Sequence, residues 1–276
     1  MQTFYDSHVH SCHSPDSQQP FGQSCQTALK KGLRGIALTD HADMWFLEQA
    51  HTFEEITGSI ADAKAANAYF RDTLRVCCGV EMAEVQDDPK NAEKILRLTN
   101  YDVVLGSIHS VRYAEWNTSY SKICFDKTEA TESKILGFLD AYFKKVLCMA
   151  EQEDFDVLTH LTCPLRYING RYHRNICIWS YEDLIVEILR NLIKRQKSLE
   201  VNTSGIHSFY GELLPSKKII EQYYNMGGRL ITLASDAHTA DRIGNAFLES
   251  AAFLKGMGFP GYYYYDQRKP YLVNWD

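Results

Sequence analysis

The chain has 276 residues and carries 29 Lys and Arg against 35 Asp and Glu, a net charge of −6 at pH 7, with 45% hydrophobic and 23% charged residues. This composition excludes a disordered or fibrous chain, and the acidic balance offers no broad basic face of the kind a dedicated nucleic-acid binder presents. The eight cysteines show no CxxC pairing, and the run Met1-Gln2-Thr3-Phe4-Tyr5-Asp6 has neither the basic n-region nor the apolar h-region of a signal peptide. Reduced thiols, a cytoplasmic location and no association with membrane are therefore expected.

Along the chain, short β-type runs alternate with longer stretches of helical period, the pattern of βα units around a parallel sheet. The strand-like runs are residues 3–7, 35–39, 75–81, 103–108, 157–160, 199–202 and 230–235, with an aromatic run at 262–265 as a late strand. Helical stretches fall at 53–71, 91–98, 131–152, 181–195 and 216–226. Gly32 and the pair Gly227-Gly228 stand where a helix C-terminus wants a residue free to take positive φ. Seven βα units imply an α/β barrel in one domain over residues 1–276, whose C-terminal face would carry the chemistry. The loop at 110–128, with Trp116, Tyr120 and Phe125, reads as an active-site cover or an oligomer contact, and the oligomeric state stays open.

Metal-type side chains gather at the strand ends. His8 and His10 close the first run, Asp40 and His41 follow the second, Glu81 ends the third, His109 follows the fourth, His160 ends the fifth, and Asp236 with His238 follows the seventh. In His8-Val9-His10 the period of two puts both imidazoles on one side of an extended segment. Asp236-Ala237-His238 repeats the device. Taken singly, each histidine reads as readily as a satisfied buried residue, and Glu81 as half of a salt bridge. Six strands delivering such groups to one rim make coincidence hard to sustain. Oxygen and imidazole ligands without cysteine point to Zn, Mn or Fe, and more than four ligands to more than one ion. Paired ions suit in-line displacement at phosphorus by a metal-bridging hydroxide.

The ordered set Asp6-Ser7-His8-Val9-His10-Ser11, Ser14-Pro15-Asp16-Ser17, Thr39-Asp40-His41, Gly79-Val80-Glu81, Gly106-Ser107-Ile108-His109, Thr159-His160, Glu200-Val201-Asn202-Thr203-Ser204-Gly205 and Ser235-Asp236-Ala237-His238 resembles the polymerase and histidinol phosphatase (PHP) superfamily. Within it, the set is similar to the histidinol-phosphate phosphatases unrelated to the haloacid dehalogenases. The resemblance implies a distorted (β/α)7 barrel with three divalent metal ions, releasing phosphate from L-histidinol phosphate in histidine biosynthesis. By position it implies one metal on His8, His10, Glu81 and Asp236, a second on Glu81, His109 and His160, and a third on Asp16, His41 and His238. His13 is the alternative to Asp16.

Among these, Glu81, Asp236 and His238 are the candidate catalytic residues, and Arg166 and Asn202 the candidate substrate contacts, with Arg112, Arg242 and His207 behind them. Asp6 and Asp40 either orient an imidazole or cap a loop. After His109 the chain departs from the family pattern, reading Ser110-Val111-Arg112-Tyr113-Ala114-Glu115-Trp116, in the loop expected to reach the far end of a small phosphate ester. The alternatives are another phosphate ester or a nucleotide as substrate, an amidohydrolase-type activity, or a metal-binding module without catalysis.

Overall fold

The computed structural model describes residues 4–47 and 52–275. In chain order it forms β1 (Tyr5–Val9), α1 (Phe21–Lys30), β2 (Gly35–Leu38), β3 (His41–Asp43), α2 (Phe53–Phe70), β4 (Arg75–Ala83), α3 (Pro89–Leu96), β5 (Val103–Ser107), α4 (Glu132–Gln152), β6 (Val157–Leu158) and the single turn α5 (Cys163–Leu165). It continues with α6 (Glu182–Arg195), β7 (Ser198–Asn202), α7 (Lys217–Asn225), β8 (Ile231–Ala234), α8 (Phe247–Met257), β9 (Gly261–Asp266) and β10 (Lys269–Asn274). Local chemistry sets several boundaries. Thr52 and Thr131 accept hydrogen bonds from the backbone N–H three residues on and open α2 and α4, while Asp88 with Pro89 at the first helical position opens α3. Gly32 and Gly227 follow α1 and α7 at φ of 77° and 94°.

All neighbours in the main sheet are parallel, in the order β1-β2-β4-β5-β6-β7-β8, with β3 continuing the line of β2 along β4. This is the distorted barrel of seven strand positions that the sequence implies. Its seam is thin. Between β8 and β1 the ladder reduces to a bridge of Val9 with Ala237, where the His10 N–H donates to the Ala237 carbonyl at 2.9 Å. Asp6 completes the closure by accepting from Ser235 N (2.9 Å), Ser235 Oγ (2.5 Å) and Gly244 N (2.9 Å). Burial pushes its carboxyl up to about 6 in spite of those donors.

Three expectations shift. The first strand runs later, to Val9, so His8 lies within it, and residue 3 falls outside the described residues. The second strand is interrupted at Thr39-Asp40, and its resumption sets His41 opposite Glu81 in the ladder. The aromatic run belongs to a separate antiparallel hairpin, β9 with β10, at the N-terminal end of the barrel. There the Tyr262 hydroxyl accepts from Tyr5 N at 2.7 Å, and Tyr265 joins Ala37, Cys77, Val103, Leu105 and Val157 in a small apolar cluster. That end is plugged, which leaves the C-terminal rim as the open face. No helix among the described residues is long and apolar enough to cross a membrane.

Candidate metal centre

Eight side chains in or just beyond the strands, joined by Asp16 from a loop, meet at that rim. Glu81, wholly buried in β4, is the hub. Its Oε1 lies 2.8 Å from His160 Nε2 and 3.3 Å from His109 Nε2, and its Oε2 lies 2.9 Å from His41 Nδ1, 3.4 Å from His8 Nε2 and 3.6 Å from His10 Nε2. Asp236 Oδ1 stands 3.4 Å from His10 Nε2 and 3.7 Å from His8 Nε2. Asp16 reaches the same group from the loop after β1, 3.2 Å from His238 Nε2 and 3.6 Å from His41 Nε2. His13 turns the other way, onto Glu55 and Asp62 of α2 at 3.2 Å each.

The outer hydrogen bonds decide which ring nitrogens face inward. A neutral imidazole has one N–H and one lone pair, so an acceptor at Nδ1 leaves Nε2 as the donor of electrons. Glu200 accepts from His8 Nδ1 at 2.7 Å, Asp43 from His109 Nδ1 at 2.9 Å, Ser14 Oγ from His10 Nδ1 at 3.0 Å, and the Asp236 carbonyl from His238 Nδ1 at 3.0 Å. The Nε2 lone pairs of His8 and His10 consequently face each other at 2.9 Å, a repulsive arrangement unless a proton or cation lies between them. Glu81 Oε2 is buried and accepts no well-aligned hydrogen bond. Three triads can each turn one donor atom per residue onto a common point: His8, His10 and Asp236; His10, His41 and His238; His41, Glu81 and His109. The residues thus fit divalent cations, in a setting where imidazole and carboxylate ligands are backed by a further layer of acceptors.

Charge follows the same geometry. Burial alone would raise Glu81 and Asp236, yet the surrounding imidazoles win and hold both carboxyls well below the usual range. Burial opposes the charged form of His8, His41 and His109, but facing carboxylates bring all three well above the ordinary histidine value. For His10 burial dominates, reinforced by His238 and His41, and the ring falls to about 3.

The outer partners are what the sequence reading missed. Glu200, Asp43 and Glu84 are buried carboxylates one layer out. Glu84 accepts from the backbone N–H of His109 (2.5 Å) and Ser110 (2.8 Å) while holding φ at +52°. The available signal was period two, since Glu200 and Asn202 share one face of β7 with Ser198, while Leu199 and Val201 face the other way. Asp6, by contrast, orients no imidazole and ties the seam. Replacing Glu200 with Gln keeps the shape and removes the charge behind His8. Metal affinity should fall by roughly 10–100-fold, as for other partners of ligating histidines, read by competition with a chromophoric chelator.

A cleft of about 250 Å³ opens over the cluster, walled by Pro15, Phe46, Ser119, Tyr120, Lys122 and Arg166. Arg166 projects from the π-helical turn after α5, donates to Ser204 Oγ at 2.8 Å and stands 3.8 Å from Asp236 Oδ2. Asn202 departs from expectation. It is wholly buried beneath the cleft, donating to Glu200 Oε2 (3.0 Å) and Asp236 Oδ2 (3.4 Å) and accepting from Ser204 N and Oγ. Its amide is committed on both sides, so it braces Asp236 instead of meeting substrate. Arg112 stacks on Trp45, and Arg242 and His207 line a neighbouring hollow that shares Arg166, Asp236 and His238 with the site. In the loop at 110–128 the aromatics Trp116, Tyr120 and Phe125 are buried anchors, and only its 119–122 stretch walls the cleft.

A parallel barrel with this cluster at its rim defines a class, and the PHP domain model matches residues 6–204. The chain belongs to the PHP domain family. It is 29% identical over 261 residues to a protein of Thermotoga maritima named probable histidinol-phosphatase, covering 92% of both chains. It is 27% identical over 267 residues to the histidinol-phosphatase of Lactococcus lactis, covering 92% of this chain and 91% of that one. The crystal structure of the Lactococcus lactis histidinol phosphate phosphatase, complexed with zinc, L-histidinol and phosphate, superposes with a TM-score of 0.79 at 22% identity over 98% of both chains. A Listeria monocytogenes structure described as a histidinol phosphatase gives 0.76 at 16% identity, over 89% of this chain and 99% of that one. These likenesses establish the fold.

Proposed function

We propose that this chain is a single-domain, metal-dependent phosphatase that hydrolyses L-histidinol phosphate to L-histidinol and phosphate, the histidine-biosynthetic reaction. The observation that carries the chemistry is the convergence of nine His, Asp and Glu side chains beside the Arg166 guanidinium, which stands 3.8 Å from Asp236 Oδ2. The substrate assignment rests on relatives of that name matching over nearly the whole length. Three divalent ions, of Zn, Mn or Fe type, would be held by His8, His10, Glu81 and Asp236, by Glu81, His109 and His160, and by Asp16, His41 and His238. When bound, such ions supply positive charge for the phosphate oxygens and lower the pKa of water.

The protein's own residues do the rest. Arg166 binds a phosphate oxygen and, braced on Ser204 and Tyr167, holds the ester in line for attack. Glu81 and Asp236 keep their anionic form at neutral pH and fix the imidazoles about the reacting phosphorus. Asp16 and His238, the most exposed members, stand at the mouth of the site, where a proton can be passed to the leaving alkoxide. Water attacks phosphorus and gives one proton to the site, the P–O bond to the alcohol breaks, and the alkoxide takes a proton from the Asp16–His238 pair, which the water's proton replaces.

Arg166→Ala should lower kcat/KM by about 10–100-fold, the equivalent of one charged hydrogen bond at about 1.5–3 kcal/mol. Lys should restore little of it, because an ammonium lacks the planar fork. The decisive assay measures phosphate release, with added Mn or Zn, from L-histidinol phosphate beside nucleotides, sugar phosphates and a chromogenic ester. Strong preference for L-histidinol phosphate is the expected result. Equal weak turnover of all esters would leave a phosphoesterase of another substrate.

A further inference from the structure

The loop after β1 carries Ser14 into the interior, where it is 1% exposed. Its hydroxyl makes three contacts: to Asp40 Oδ1 at 2.6 Å, to His10 Nδ1 at 3.0 Å and to the His41 N–H at 3.2 Å. A hydroxyl has one proton and two lone pairs. The carboxylate can only accept and the His41 backbone N–H can only donate. Oγ therefore gives its proton to Asp40, receives from His41, and has one lone pair left for His10, whose Nδ1 must bring the hydrogen. All its bonding capacity is used, and the lone pair of His10 is fixed at Nε2, toward Asp236 and Glu81.

We infer that Ser14 is a positioning residue that holds ligands of two metal sites at once, the ring of His10 and the backbone of His41, against the single anchor Asp40. The inference rests on the metal assignment proposed above. Asp40 suits the part: it also accepts from Ser11 N (2.6 Å), Ser11 Oγ (2.7 Å) and Ser59 Oγ (2.8 Å), and is 3% exposed. Ser59 supplies an internal control. It donates to the same carboxylate from α2, and its hydroxyl makes no hydrogen bond to His10 or His41.

The test compares Ser14→Ala, Ser14→Thr and Ser59→Ala as full-length chains. Zinc affinity is read by chelator competition, metal content by elemental analysis after gel filtration, and melting temperature in chelator. Ser14→Ala should bind zinc about 10–100-fold more weakly and retain less metal per chain, the magnitude expected for a lost partner of a ligating histidine. Ser14→Thr, which keeps the hydroxyl, should recover most of that affinity. Ser59→Ala should stay within about threefold of the parent, the effect of one hydrogen bond removed from a shared acceptor. Equal weakening in Ser14→Ala and Ser59→Ala would reduce Ser14 to a structural prop and overturn the inference, as would unchanged zinc binding in Ser14→Ala. A parent chain that binds no zinc would overturn the metal assignment and this inference together, whereas a zinc-binding parent with an indifferent Ser14→Ala overturns this inference alone.

Discussion

Glu81→Ala should lower phosphate release by about 10²- to 10⁴-fold and strip the protein of most of its metal. The two carboxylate oxygens of Glu81 stand within 3.6 Å of five imidazoles, and among the described residues no other carboxylate meets as many. Removing the carboxylate leaves buried rings whose protonated forms lose their main counter-charge. Breaking one member of a buried charged set costs about 3–5 kcal/mol, which corresponds to roughly two to four decades in an equilibrium or rate constant. Glu81→Gln separates shape from charge: the side chain still fills its place in β4, yet it can bridge nothing. It should behave almost as Ala in turnover while melting closer to the parent. The measurements are kcat/KM with saturating Mn or Zn, metal per chain, and circular dichroism as the check on folding. A Glu81→Ala enzyme with near-parental turnover would sink the bridging assignment.

The barrel was legible because period and spacing are strong signals over a long chain. Strands at regular intervals, glycine stops at Gly32 and Gly227, and polar residues confined to strand ends all express one repeated unit. Eight of the nine cluster residues were legible for the same reason, since each sits at or just past the end of a strand-like run and those ends share a rim, whereas Asp16, on the loop after β1, came only with the family resemblance. What stayed hidden was set by packing rather than pattern. Asn202 looked like a substrate contact because it ends a strand, but β7 sits deep enough that its amide lies below the cleft and braces Asp236. The resumption of the second strand at His41 depends on the turn that Asp40 builds with three serines, a tertiary cause that no periodicity carries. The tyrosine run had β character and no alternation to say which face it served. Its partners, Tyr5, Ser198 and Asp156, lie far away in sequence.

Removal of metal should abolish activity and lower the melting temperature, and the size of that drop should grow with pH. A ligand bound only by the folded state adds about 4 kcal/mol at a thousandfold excess over its dissociation constant. For a chain of this size that is on the order of 10 °C for each tightly held ion. The pH dependence follows from the imidazoles. Without bound cations, His8, His41 and His109 are raised well above the ordinary histidine value by the carboxylates facing them, against the effect of burial. Their stabilising contribution is therefore complete below the unfolded value and is lost as pH climbs through the folded one. Ligation demands the same protons be shed, so metal affinity rises over the interval in which the chelated protein weakens. Glu81 and Asp236 are shifted the other way and lose their contribution only in acid, outside this window. The gap between metal-loaded and chelated melting temperatures should thus widen from about pH 6 to about pH 8, with proton release on zinc binding detectable by calorimetry in buffers of different ionisation enthalpy. A gap that stayed flat or narrowed, with no protons released, would mean that these imidazoles do not ligate, and the cluster would have to be read as a network of buried ion pairs.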